Sequence, residues 1–403
     1  MKKFVKLSLV AAVAVAGLTT ANAKPLEEAI KGVDVSGTVA YQYNDRSNDD
    51  QTDGNNYTKH LYKAAITLKA NATDDITVVT KTIIGGGNTL AKDPNSNSVA
   101  ATTSSNDMAA ISAGGSDAQA SFGLSQANFV YTGIANTTFI AGKQAVPSPF
   151  AVQADATGDE DTGNGLTAVV NAGPVTIAGT YLQNTNFTSA TGANLDVSGQ
   201  ALYGLGVMGN VGPVSLDGWY LRLDEKNDNT DDGAKAYTLG VSGKVNVVSF
   251  YARYSALNSD INGIDTGKLF KLGAKAKIGI VGFGVDYGMT NDVNGTATGV
   301  NITGDSDADV GFQGWGVDLA NRDDAQMYKL NVNVDVTSNI NLSVNYNDLS
   351  VDSAANSDEN EWVFQATHKV AKNFSYYVRL GQVDKDSLTD KGSRGRLNIV
   401  YSF

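Results

Sequence analysis

Tyr328-Lys329-Leu330-Asn331-Val332-Asn333-Val334-Asp335-Val336 sets apolar and polar side chains in strict alternation. Tyr328, Leu330, Val332, Val334 and Val336 fall on one side, and Lys329, Asn331, Asn333 and Asp335 on the other. A β-strand sends successive side chains to opposite faces, whereas helical spacing would place the asparagines on the apolar face. The next segment repeats the pattern, with Ile340, Leu342, Val344 and Tyr346 against Asn341, Ser343, Asn345 and Asn347. Far away in the chain, Val33, Val35, Gly37, Val39, Tyr41 and Tyr43 oppose Asp34, Ser36, Thr38, Ala40 and Gln42. One side suits lipid and the other water.

Between such segments the connections alternate in length. Tight joins fall at 71–75, 133–136, 172–174, 210–213, 243–246, 277–279, 337–339 and 371–373. Longer polar segments lie between them at 44–59, 85–120, 144–163, 184–200, 225–235, 258–268, 291–326, 351–360 and 384–391. Short turns on one rim and long loops on the other mark outer-membrane barrels. The rhythm predicts an all-β chain forming a transmembrane antiparallel β-barrel of about 18 strands, an even number as in bacterial single-chain barrels. A barrel of that strand number encloses an aqueous channel. The stretch 171–182 echoes 210–221, which implies repeated hairpins within one domain.

The N-terminus carries Lys2, Lys3 and Lys6, an apolar run over 7–18 and the small-residue stretch Ala21-Asn22-Ala23. It reads as a secretory signal peptide over 1–23, its apolar run too short to span a bilayer as a helix. Residues 24–403 then form the barrel domain, with a periplasmic lead-in at 24–32. The formal charge of −12 falls to about −15 without the leader lysines, which argues against nucleic acid as a partner. The chain has no Cys and only two His, His60 and His368, which argues against thiol catalysis and zinc sites. It ends Arg394-Gly-Arg-Leu-Asn-Ile-Val-Tyr-Ser-Phe403, an alternating strand closed by an aromatic residue. That ending resembles the assembly signal of Gram-negative outer-membrane proteins, so the barrel-assembly machinery and outer-membrane lipids are expected partners.

The third long loop, 144–163, contains Pro147, Pro149, Phe150, Asp155, Asp159, Glu160 and Asp161. Folded into the barrel, its carboxylates would narrow the lumen, attract cations and raise the barrier to anions. An ordinary solvated acidic loop is the alternative. Alternation turns Lys63, Lys69, Lys81, Arg253, Lys271, Lys275, Lys329, Arg379, Arg394 and Arg396 inward. A basic charge on the lipid face would cost about 2–4 kcal/mol at midplane. Tyrosines near strand ends are expected to form interfacial girdles, while Trp219 points inward. The polar stretches 93–117 and 291–309 read as loops solvating the surface.

Other motifs fail on context. Gly204-Leu-Gly-Val-Met-Gly209 fits a dinucleotide fingerprint but lies within an alternating strand. Asp305, Asp307 and Asp309 have calcium-loop spacing, yet Val310 and Gly316 replace its required Gly and Glu. No cofactor is expected, and a looser Ca²⁺ site among loop or lumen carboxylates stays open. Neither His joins a Ser/Asp constellation and no G-x-S-x-G occurs, so the sequence predicts no enzyme.

Specific residues resemble a known family. Pro25-Leu-Glu-Glu-Ala-Ile-Lys31 running into Val33-Asp-Val-Ser-Gly37 looks like the N-terminus of the Campylobacter-type (epsilonproteobacterial) major outer-membrane porins. Ala141-Gly-Lys-Gln144, Thr162-Gly-Asn-Gly-Leu166 and Leu342-Ser-Val-Asn-Tyr346 support the likeness. The resemblance implies an 18-stranded, trimeric general diffusion porin in the Gram-negative outer membrane. It would pass small hydrophilic solutes with a mild preference for cations, its third loop folded inward. An adhesin or surface antigen presenting the long loops is the rival expectation.

Overall fold

The computed structural model describes residues 32–48, 57–85, 90–92, 99–101, 109–111, 121–157, 160–187, 200–224, 233–259, 265–293, 299–300, 302–303, 307–320, 322–352, 358–385 and 392–403. The signal-peptide and lead-in expectations lie outside these residues. β1 (Val33–Asn48), β2 (Tyr57–Asn71) and β3 (Ile76–Gly85) open the wall. Three short strands follow within one loop, β4 (Leu90–Lys92), β5 (Val99–Ala101) and β6 (Ala109–Ile111). The wall resumes with β7 (Ser121–Tyr131), β8 (Thr137–Ala145), β9 (Thr162–Ala172), β10 (Val175–Thr185), β11 (Leu202–Val211) and β12 (Val214–Leu223). It continues through β13 (Ala234–Val245), β14 (Val248–Ser259), β15 (Gly267–Ile278), β16 (Val281–Thr290) and β17 (Ala325–Asp335). β18 (Ile340–Val351), β19 (Glu359–Ala371), β20 (Phe374–Lys385) and β21 (Gly392–Ser402) complete it.

Each wall strand pairs antiparallel with its neighbours, and β21 returns to β1 in the register Tyr41↔Ile399. Gly37 and Phe403 exchange backbone hydrogen bonds of 2.9 and 3.0 Å at that seam. The result is a closed 18-stranded antiparallel barrel without helices among the described residues, as the strand and loop rhythm predicts. Closure removes the edges that an open sheet would leave unpaired in lipid. Every tight join falls between strand ends on one rim. The β9–β10 and β11–β12 turns place Gly173 and Gly212 at φ of 63° and 59°, a left-handed conformation that a Cβ disfavours. Gly212→Ala is expected to cost about 1–2 kcal/mol, read as a lower urea midpoint in reversible folding into detergent micelles.

The outer face is an apolar band exposed in the isolated chain, as at Leu239, 62% exposed. Tyr181–Tyr203, Tyr237–Tyr254, Tyr287–Tyr328 and Tyr346–Trp362 ring pairs, 4.6 to 6.2 Å apart, run around the barrel toward the long-loop rim. They form the expected aromatic girdle. His60 and His368 join aromatic contacts instead of a catalytic group: His60 Nδ1 lies 2.7 Å from Tyr41 Oη, and His368 packs edge-on against Tyr376.

Inside, the barrel departs from simple alternation. Near the long-loop rim the inward positions include Leu182, Leu202, Leu221, Leu223 and Leu257, all fully buried. Val146, Phe150 and Ala151 of the third long loop cover them, together with Ile302, Ala308 and Val310 of the seventh, 291–324. A second cluster packs Phe312, Val317 and Leu319 of the seventh loop on Leu269, Met327, Leu349 and Val383 of the wall. The described part of the seventh loop therefore lies inside the barrel, which corrects its reading as surface solvation. Its apolar residues anchor it there, each fully buried Leu or Phe contributing about 1.5–3 kcal/mol.

Candidate functional site

Two loops and the inner wall build the site. In the third loop Pro147 and Pro149 stiffen a turn in which Ala151 N donates to Ser148 O at 3.1 Å. Asp161 then closes the loop on itself. Its carboxylate accepts Val152 N at 2.7 Å, its carbonyl accepts Val146 N at 3.0 Å and its N–H donates to Val152 O at 2.7 Å. Asp155 caps its own turn by accepting Thr157 N at 2.7 Å.

Glu160, 1% exposed, reaches the wall. Lys81 Nζ on β3 donates to its Oε1 at 2.5 Å, Lys63 Nζ on β2 lies 3.8 Å from the same atom, and Ser125 Oγ lies 3.3 Å from Oε2. Lys63 Nζ also donates to Asp155 O at 2.9 Å. The acidic loop and these basic residues thus meet in direct contact, with no gap left between them. Asp159 lies outside the described residues.

The other basic side chains face inward and divide into three groups. Arg253 on β14 forms a bidentate pair with Asp217 on β12 at 2.9 and 3.0 Å, reaching across Gly240 on the intervening strand. A side chain at Gly240 would collide with both partners. Lys69 and Lys275 stand exposed toward the short-turn rim. The remaining five hold the seventh loop. Lys271 donates to Asp309 O and Gly311 O at 2.5 and 2.7 Å, Lys329 to Gln313 O at 2.6 Å and Arg394 to Trp315 O at 3.3 Å. Arg379 and Arg396 lie 5.3 and 5.5 Å from the Trp315 ring, within cation–π range.

Glu361 on β19 completes that cradle, and it is absent from the sequence-derived set. Only 1% exposed, it accepts Trp315 N at 2.6 Å, Gly316 N at 2.8 Å and Asn347 Nδ2 at 2.6 Å. Asp217 was likewise not nominated. Both alternate with lipid-facing neighbours, Glu361 beside Trp362 and Asp217 beside Leu216. The alternation that turns the lysines inward turns these carboxylates inward as well. Trp315 carries no comparable signal, because it lies in a loop without periodicity. Among the described residues, no group of three or more His, Cys, Asp or Glu could hold a metal ion.

The two loops touch where Val310 N donates to Pro149 O at 3.1 Å. Below them the lumen keeps a cavity of about 790 Å³, lined by Pro147 to Pro149 and Ala151 to Ala154, by β9 to β12 and by Arg253, Asp307 and Asp309. A narrowed barrel with charged walls is the arrangement of an aqueous channel. Comparison with known proteins agrees. Residues 1–312 match the family described as the Campylobacter major outer membrane protein. The chain belongs to that family.

Membership places the barrel in the outer membrane and bears out the resemblance read from the N-terminus and interior strands. The cradle around Trp315 lies beyond the matched residues. Among solved structures, Acinetobacter baumannii OccAB3 superposes with a TM-score of 0.68 at 14% identity, covering 93% of this chain and 99% of that one. A BenF-like porin from Pseudomonas fluorescens Pf-5 gives 0.65 at 13%, covering 93% and 99%. Pseudomonas aeruginosa OccK8 (OprE) gives 0.65 at 11%, covering 93% and 98%. At these identities the likeness is one of fold. No curated protein matches the chain by sequence.

Proposed function

We propose that this outer-membrane barrel is a general diffusion porin, a passive and non-catalytic channel for small hydrophilic solutes and ions with a mild preference for cations. The observation that carries the reading is a closed barrel whose third loop is pinned inside it by the Lys63–Glu160–Lys81 contact, with an open cavity beneath. The cation preference draws support from the exposed carboxylates of Asp307 and Asp309, which line that cavity, while Asp217 holds Arg253 to the wall. The same proposal includes assembly as a homotrimer and insertion through the strand ending in Phe403, which the family likeness supports. Chemical cross-linking in outer-membrane vesicles tests the trimer.

Liposomes carrying the purified chain should swell in isosmotic solutions of small sugars, at rates that fall with sugar size. A barrel that only presents its loops would leave them unswollen. Asp217→Asn should release the Arg253 charge into the lumen and lower the cation-over-anion permeability ratio. A fall of up to about fivefold is expected, the equivalent of about 1 kcal/mol of ion-pair energy. The zero-current potential in a salt gradient measures it, and an unchanged potential would remove Arg253 from the pore-lining set.

A further inference from the structure

One part of the inner wall is apolar where a water-filled lumen calls for polar residues. Val169, Ala178, Gly206 and Trp219 form a single hydrogen-bonded row across β9, β10, β11 and β12. All four face the lumen. The Trp219 ring lies against Gly206, whose missing side chain leaves room for it, since a Cβ there would come within 2.6 Å of the ring. Met208 lies one row below, and Pro149 and Val152 of the third loop face the same cavity. Opposite chemistry lies at the edge of this surface. Asp307 and Asp309 are exposed, line the cavity and lie just before Val310, where the seventh loop meets the third at Pro149. Lys271 holds the Asp309 carbonyl at 2.5 Å, and Gln313 donates to the Asp307 carboxylate.

We propose that this cavity is a binding subsite for amphipathic organic cations, a flat apolar or aromatic body bearing an ammonium group, within the diffusion path proposed above. The inference rests on that porin reading. The body would lie on the Val169–Trp219 row and against Pro149 and Val152, removing apolar surface on both sides from water. The ammonium would meet Asp307 and Asp309. At about 790 Å³ the cavity falls within the range of small-molecule sites and accommodates such a solute with its water. An aromatic anion would match the apolar row but meet Asp307 and Asp309, the lining cation Arg253 being engaged by Asp217 at 2.9 and 3.0 Å, and a small alkylammonium would match the carboxylates but leave the row uncovered.

Current block in planar bilayers formed with the full-length chain tests this. 2-Phenylethylammonium should reduce the current saturably at concentrations where ethylammonium and 3-phenylpropanoate do not. The double variant Asp307→Asn, Asp309→Asn, at exposed positions that keep their hydrogen-bonding capacity, should weaken that block by about tenfold. Trp219→Leu should weaken it as well, read as the fraction of that variant's own current that the probe removes. Equal block by all three probes, or block unchanged in the carboxylate variant, would overturn the subsite and leave the porin reading standing. Absence of any current without probe would overturn the porin reading itself. If Trp219→Leu does not assemble, the carboxylate variant decides alone.

Discussion

Gly314→Ala releases the seventh loop from the wall, raising single-channel conductance while the barrel stays folded. A methyl group at Gly314 would overlap Glu361 Oε1 and come within 2.5 Å of Asn347 Nδ2. Glu361 is buried, and its two oxygens accept the Trp315 and Gly316 N–H groups. Hydrogen bonds to a charged group contribute about 1.5–3 kcal/mol each, so losing both costs about 3–6 kcal/mol. Moving a two-state equilibrium from 99:1 docked to 1:99 takes about 5.5 kcal/mol. The loop should therefore populate the undocked state heavily. The strand ladders do not pass through this contact, so heat-modifiable gel mobility should persist. Arg379, Arg394 and Arg396 would lose their Trp315 contacts and face the lumen, shifting the zero-current potential toward anions. Unchanged conductance and potential would show that the cradle does not hold the loop.

Glu160→Gln has the second large effect. One carboxylate serves both Lys63 and Lys81, and with Lys63 as buried as Glu160 itself the contact lies in a low-dielectric setting. Removing one partner of such a group costs about 3–5 kcal/mol, because it leaves buried charge less compensated. The outcome should be a lower thermal unfolding temperature in detergent and a noisier, larger conductance as the third loop loosens. Adding Lys63→Met should recover part of the loss, since the apolar side chain removes the charge that Glu160 had balanced. A double variant no more stable than Glu160→Gln alone would mean that the Lys63 contact contributes nothing.

Period-two alternation is long-range in consequence although local in sequence, which is why strands, turns and closure were readable. Tyr328 to Val336 needs no knowledge of its neighbours to show which face meets lipid, and Gly212 with Pro213 announces its turn by backbone chemistry alone. Inward orientation of Arg253 or Lys271 follows from the same rule. What each inward side chain touches does not, because contacts across the lumen join residues far apart in sequence, as Lys81 meets Glu160 and Arg394 meets Trp315. The reading of 291–309 as surface solvation fails for a related reason. Its Asn, Asp and Gly content signals solvation, while Val310, Phe312, Val317 and Leu319 show their purpose only against Leu269, Met327 and Leu349. The buried leucines at the strand ends carry the complementary clue, since apolar residues on the water face need a cover.

Single-channel recording of the purified full-length chain in planar bilayers shows whether the barrel is an open channel narrowed by two docked loops. Stable, ohmic steps carried by cations in excess of anions are expected. Membranes that stay silent at protein levels sufficient for insertion would contradict an open channel.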